Sequence, residues 1–225
     1  MQYKIMQQPA TATTATANVN TEATVWDVAK ETELRISCQK GSVEVTLLDG
    51  VAELFGLEMK KLMTYTFHDE SIAVYSWYGA KVKVKNILRD TGAGSSATGK
   101  SDSTRPNEAY VYCVADDAKV MQEYVQLHGV IDDVRLSAIS GAVPAGPRVV
   151  VVGPPNCGRS TIVRILCAYA VRMSRVPMLV DLDVTAGDVC MPGSVMASPV
   201  DCQSMFVEDG VHPKSPLSYY YGHAD

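Results

Sequence analysis

The sequence predicts an α/β plus all-β chain: an N-terminal β-sandwich or barrel, followed by an incomplete α/β unit built on a parallel sheet. Three observations predict it. From Glu33 onward apolar residues alternate with polar ones at period 2, as they do along half-buried strands. Beyond residue 147 the period changes, and residues 148–152 (RVVVV) form a β-branched run without alternation, the pattern of a parallel strand buried on both faces. Between these regions, residues 141–147 are rich in Gly, Ala and Pro and read as a linker.

Taken in order, residues 1–23 are expected to be a mobile tail. Through Asn20 they are mostly Thr, Ala, Gln and Asn with Lys4 the single charge, too little apolar area to offset the entropy of ordering. Without an apolar central stretch the tail is expected to be neither a signal nor a transit peptide. Residues 24–115 form the β domain. Leu34, Ile36 and Cys38 alternate, then Val43, Val45 and Leu47, with Gly41 and Asp49-Gly50 as turns. Strands follow at residues 65–67 and 72–77, and at Val82 and Val84, which are flanked by Lys81, Lys83 and Lys85. A lysine on alternate positions marks a solvated or protected edge strand better than an RNA-facing one.

Residues 91–106 are a polar insertion in this domain, and residues 110–114 are its last strand. Residues 116–146 are helix and linker, with Asp116 and Asp117 able to cap a helix carrying Val120, Met121, Tyr124 and Val125 on one face. Residues 147–225 form the second, incomplete domain.

Composition narrows the function. With 47% hydrophobic and 20% charged residues the chain can build a packed core. A net charge of −5 argues against broad nucleic-acid binding, which needs many Lys and Arg contacts to phosphate, but leaves room for a local site for one RNA end. The six cysteines contain no C-x-x-C pair, so neither a disulfide framework nor a zinc ribbon is indicated. The apolar run at residues 149–152 is far shorter than the ~20 residues that span a bilayer, and a soluble protein is expected.

The pattern of a phosphate-binding loop, G-x-x-x-x-G-K-[ST], occurs perfectly at residues 94–101 (GSSATGKS). Its surroundings contradict it. Such a loop works because a buried strand delivers it and the following helix aims free N–H groups at phosphate; here the flanks are polar and Pro106 follows. The imperfect match at residues 153–161 (GPPNCGRST) has both flanks. Residues 148–152 supply the strand, and Ile162, Ile165, Leu166 and Tyr169 mark one helix face, with Arg164 and Arg172 on others. Gly153 and Gly158 permit tight turning, the later amides cradle phosphate, and Ser160 or Thr161 can ligate Mg²⁺.

Residues 177–183 (PMLVDLD) read as a second buried parallel strand ending in carboxylates, where open α/β sheets place their chemistry. Asp183 is the candidate base or Mg²⁺ partner, or else the cap of the turn at residues 185–187; Asp181 is expected to point away.

These segments resemble the polynucleotide 5′-hydroxyl kinase subunit of the eukaryotic pre-mRNA cleavage and polyadenylation complex, of the cleavage factor II type. The likeness rests on ETELR (31–35), GVAELFG (50–56), YTF (65–67), GPRVVVVGPPNCGRSTIVRILCAYA (146–170) and DLDVTAGDVCMPGSV (181–195). It implies a small β domain, a central P-loop domain and a C-terminal domain. By the same resemblance Glu33 contacts the nucleotide base, Asn156, Cys157, Gly158, Arg159, Ser160 and Thr161 hold the phosphates of ATP, Ser160 or Thr161 holds Mg²⁺, and Asp183 takes a proton from an RNA 5′-hydroxyl. The family's partners are the other subunits of the cleavage complex and an RNA 5′ end, and its location is the nucleus.

The chain departs from the family in three residues. Ser71 stands where a lysine joins the acid at the base, Arg159 where the loop's lysine stands, and Ala186 where a glutamine stands. The chain also ends at Asp225, before the lid arginines and the C-terminal domain, as a fragment or a reduced homologue would. Lysine is a compact point charge, whereas arginine is a longer planar fork that can pair bidentately with phosphate yet disturbs in-line geometry. Nucleotide binding is therefore expected in preference to catalysis. Cys157, just before a helix N-terminus, can be redox-sensitive, or it can simply fill space.

Overall fold

The computed structural model describes residues 17–18, 23–38, 41–87, 109–115, 119–185, 189 and 191–222. The insertion at 91–106 with its perfect loop motif, the capping pair Asp116 and Asp117, and Ala186 lie outside the described residues.

The first half runs β1 (Ala17–Asn18), β2 (Thr24–Val28), β3 (Thr32–Ser37), β4 (Ser42–Gly50), β5 (Glu53–Leu54), β6 (Leu57–Glu58), β7 (Thr64–His68), β8 (Ser71–Ser76), β9 (Ala80–Ile87) and β10 (Tyr110–Ala115). They form two sheets, ordered β1-β10-β3-β8-β5-β6 and β2-β9-β4-β7. Every strand pairing in them is antiparallel. The period-2 pattern decides what lies between the sheets: Leu34 and Ile36 of one and Val43, Val45, Phe67, Val82 and Val84 of the other are all buried in one cluster.

Two expectations need correction here. Lys81, Lys83 and Lys85 do lie on a solvated face, but β9 is an inner strand between β2 and β4, not an edge. Lys81 reaches Asp27 of β2 at 3.6 Å and Lys85 reaches Glu44 of β4 at 3.5 Å, so neighbouring strands supply the counter-charges. Within the predicted mobile tail, residues 17 and 18 add a short strand opposite Val111 and Tyr110, because main-chain pairing to a sheet edge does not need apolar side chains.

The second half holds α1 (Val120–Ile139), α2 (Arg159–Arg172), β11 (Met178–Asp181), β12 (Ser194–Pro199), β13 (Met205–Phe206), β14 (Gly210–Val211) and β15 (Leu217–Tyr220). On α1, Met121, His128, Ile131 and Asp132 are buried and Tyr124 is half-buried, a stripe at helical spacing; Val125 is exposed. On α2 the buried face is Ile165, Cys167, Ala168, Tyr169 and Ala170.

The expected parallel sheet does not form among the described residues. Residues 148–152 belong to no strand, and Val149, Val150 and Val152 are 51%, 80% and 85% exposed. β11 pairs with β12, and β12 with β15, all antiparallel. The reason is topological: the described residues between β11 and β12 hold no helix, and a strand that returns without a crossover helix is antiparallel. β11 is accordingly half-exposed along its length rather than buried. No helix of the described residues is long and apolar enough to cross a membrane.

Candidate functional site

The loop at residues 153–158 delivers α2 in the manner its sequence suggests. Asn156 and Gly158 take left-handed φ values of 60° and 86°, which turn the chain sharply into the helix. At Gly153 a Cβ would stand 2.6 Å from Cys157 Sγ, so the loop closes on its own cysteine, which would have to turn aside for any larger residue. The first turn of α2 contains Arg159, Ser160 and Thr161 and no acid, and the N–H groups of a first turn have no partner within the helix. Together they make a positive, donor-rich helix end suited to an anion.

Pro155, Asn156, Gly158, Arg159, Ser160, Thr161, Asp183 and Thr185 line one cleft of about 490 Å³. The structure thus brings the loop and Asp183 together although 24 residues separate Arg159 from Asp183. Across the cleft an Arg159 Nη2 donates to Asp183 Oδ2 at 3.3 Å, each side chain about one-third exposed. Asp183 Oδ1 accepts from the Thr185 amide at 3.1 Å and from the Thr185 hydroxyl at 2.6 Å. Asp183 therefore caps the turn and faces the phosphate loop at once. Asp181 does not line the cleft; its Oδ1 accepts the Asp183 amide at 3.0 Å in a local turn just past β11.

Glu33 and Ser71 lie elsewhere. Both sit on one sheet of the sandwich, where Glu33 binds Arg35 at 2.9 Å and Ser71 shares a 3.0 Å hydroxyl contact with Ser37. Neither lines the cleft.

What sequence reading missed is the seam between the halves. Arg164 and Arg172, expected off the packed face of α2, are its anchors. The Arg164 guanidinium stacks 4.0 Å above the Phe55 ring and donates to the carbonyls of Phe206 and Val207 at 3.1 and 2.7 Å. Burial pulls its pKa down, and the carboxylates of Glu70 and Asp209 oppose this. Arg172 donates to Glu53 Oε2 at 2.8 Å and to the Gly56 carbonyl at 3.0 Å, while the Tyr169 hydroxyl donates to Glu53 Oε1 at 2.7 Å. Glu53 is only 3% exposed, a charge that has left water only because two donors meet it. Burial, then the Glu53 carboxylate, push the Tyr169 phenol far above its usual range, so it stays the donor. Glu208 Oε1 accepts the Thr66 amide on edge strand β7 at 2.5 Å, closing the same seam further along. The signal available in sequence was GVAELFG itself, whose Glu53, Phe55 and Gly56 all meet α2.

The donor set of the cleft fits a nucleoside polyphosphate: open first-turn amides, two hydroxyls and a guanidinium, with no acid in the helix's first turn to repel it. Ser160 and Thr161 are also the hydroxyls that would hold Mg²⁺ beside such a phosphate.

Comparison with known proteins places the chain. Residues 27–138 match the N-terminal beta-sandwich domain of polyadenylation factor, and residues 153–225 match the mRNA cleavage and polyadenylation factor CLP1 P-loop. The Protein CLP1 homolog of Nematostella vectensis is 35% identical over 202 residues, covering 88% of this chain and 42% of the relative. The human Polyribonucleotide 5′-hydroxyl-kinase Clp1 is 34% identical over 201 residues, with the same coverage of 88% and 42%. This chain thus spans less than half the length of these relatives. Wild-type Clp1p, solved in complex with Pcf11p, shares the fold with a TM-score of 0.68 at 21% identity, covering 92% of this chain and 45% of that one. With a β-sandwich model and a P-loop model matched in succession, the chain belongs to the Clp1 family of mRNA cleavage and polyadenylation factors.

Proposed function

We propose that this chain is a nuclear, ATP-binding subunit of the pre-mRNA 3′-end cleavage and polyadenylation machinery that holds nucleotide without turning it over. Its partners are other subunits of that machinery, with Pcf11p-type proteins the first to test, and an RNA 5′ end. ATP sits with its phosphates on residues 156–161 and Mg²⁺ reaches them through Ser160 or Thr161.

The observation that carries the reading is the Arg159–Asp183 ion pair. A kinase needs Asp183 free to accept a proton from a hydroxyl, and a cation at position 159 committed to phosphate. Here each group is turned on the other, and Thr185 occupies the second oxygen of Asp183. An incoming phosphate can compete for Arg159 through a two-pronged hydrogen bond, so binding survives. In-line transfer to a hydroxyl does not, because the Asp183 carboxylate that would take its proton stays tied to the Thr185 amide and hydroxyl.

The test is thermal denaturation with saturating Mg-ATP beside a phosphate-transfer assay on a 5′-hydroxyl RNA. The wild type is expected to gain about 3–4 kcal/mol at 100–1,000 times Kd, and to label no RNA. An unchanged melting temperature in the wild type, with stabilisation restored in Arg159→Lys, would show an empty natural site. Labelled RNA that disappears in Asp183→Asn would show an active kinase. Unaltered assembly with cleavage-complex proteins after disrupting Gly158 and Ser160 would show a nucleotide-free adaptor.

A further inference from the structure

We infer that Glu53 is a positioning residue for the phosphate loop: by holding the last turn of α2 against the β-sandwich, it fixes the attitude of the helix whose first turn carries Arg159, Ser160 and Thr161. The inference rests on the nucleotide-binding reading and adds to it the route by which the sandwich acts on the site.

The geometry is that of a lever. Glu53 engages Tyr169 and Arg172, the last turn of α2, at 2.7 and 2.8 Å. Just beyond it, Gly56 lets the chain lie directly on the helix: its φ is +80°, and a Cβ there would be 3.1 Å from Ala168 Cβ and from the Ile165 carbonyl. From Arg159 to Arg172 the helix is ~20 Å long at ~1.5 Å per residue, so a tilt of ~5° about the seam moves the loop end by ~2 Å. Phosphate-binding groups tolerate only about 0.5 Å of displacement. Arg164, stacked on Phe55 midway along the same helix, is a second tie between sandwich and α2, whereas Glu33 and Ser71 do not line the cleft.

Glu53 also differs from its neighbour in a way that a test can use. Glu58 stands 3.9 Å from the same Arg172 but its side chain is 59% exposed, against 4% for Glu53. An exposed pair at that distance contributes little. A reporter is already in place: Trp77 packs edge-on to Tyr75 at 4.8 Å between centroids, in the cluster that also holds Ile165 and Tyr169. By linkage, a nucleotide that favours the docked helix must also tighten the seam and so perturb Trp77.

The experiment titrates the full chain with Mg-ATP, reading affinity by calorimetry and the seam by Trp77 emission, with Trp77→Phe assigning the signal. It is run where near-ultraviolet circular dichroism shows each variant folded. Glu53→Gln is expected to weaken ATP about tenfold and to abolish the ATP-induced change in Trp77 emission. Tyr169→Phe, which removes one hydrogen bond and no charge, is expected to weaken it about threefold and carries the test if Glu53→Gln does not fold. Glu58→Gln should stay within about twofold and keep the signal. If Glu53→Gln or Tyr169→Phe melts earlier yet binds ATP like the wild type, the seam is a purely structural contact and the inference is overturned. If the wild type binds no ATP, the nucleotide reading itself falls, and this inference with it.

Discussion

The two halves treat their apolar residues in opposite ways. In the β-sandwich, Leu34, Leu54, Val43, Val45, Val74, Val82 and Val84 have no exposed surface at all. In the P-loop half, Val150 and Val152 are 80% and 85% exposed, Leu182 70% and Tyr220 78%. Both halves contain sheets, so strand content is not the difference. A sheet buries side chains only where another layer covers it. The sandwich supplies two sheets that cover each other, whereas β11, β12 and β15 meet α2 through a few residues such as Leu179 and Val200. Apolar pattern therefore states a demand for cover, which the sandwich meets between its two sheets and the second half meets around α2, where Ala168 and Val200 are fully buried.

The sharpest way to break this comparison is to shorten an aliphatic side chain in each half. Leu34→Ala is expected to destabilise by about 3–4 kcal/mol, because the side chain is fully enclosed and its cavity cannot collapse between two sheets. Val150→Ala is expected to change stability by less than about 0.5 kcal/mol. Urea denaturation measures both, and equal losses would mean that Val150 is covered in solution.

A second contrast sets the seam against the loop. Gly56 and Gly158 share nearly the same φ, +80° and +86°, but a Cβ at Gly56 would press on Ala168 and Ile165 while one at Gly158 meets nothing within 4 Å. Alanine at either pays the left-handed strain of about 1–2 kcal/mol; at Gly56 the forced separation from α2 should raise the total to about 2–4 kcal/mol. Chemical denaturation of the two variants should show this difference. Similar losses would show that the seam yields easily.

The same contrast governs what could be read in advance. Leu34, Ile36, Val43 and Val45 were legible because period-2 alternation is a local property and antiparallel neighbours come from adjacent segments. The loop at residues 153–161 was legible because its strand-like and helical flanks lie beside it in sequence. The antiparallel return of β11 was not, since residues 177–183 carry the same apolar signature whichever neighbour they meet. Glu53 was not legible either. Its donors, Tyr169 and Arg172, stand 116 and 119 residues away, and no local pattern distinguishes a carboxylate that will be buried from one that will face water. Arg164 and Arg172 misled for a related reason: a long side chain placed off the apolar face of a helix can still cover apolar surface with its stem and deliver its charge to a seam.

The smallest expected effect concerns pH, and it separates two buried groups on α1. Hydrogen bonding to Arg175, at 3.0 and 3.1 Å, holds the Asp132 carboxyl below its ordinary value of 3.8, with Arg135 at 3.4 Å assisting. Burial, aided by Arg135 and partly opposed by the Asp132 carboxylate, lowers His128 from its ordinary 6.5. Both native pKa values lie below the unfolded ones, so the unfolded chain binds more protons as pH falls and stability drops with it. The windows differ: His128 contributes stability that is complete above about 6.5 and declines below it, Asp132 stability that is complete above about 3.8 and declines below it. Melting temperature measured from pH 8 to pH 3 should therefore fall in two steps. His128→Gln is expected to flatten the upper step, and Asp132→Asn to flatten the lower one, to deepen the upper because the Asp132 carboxylate no longer offsets the depression of His128, and to lower the plateau because Arg175 loses its carboxylate partner. A single acid step unchanged by either variant would show that neither His128 nor Asp132 is held as the structure places it.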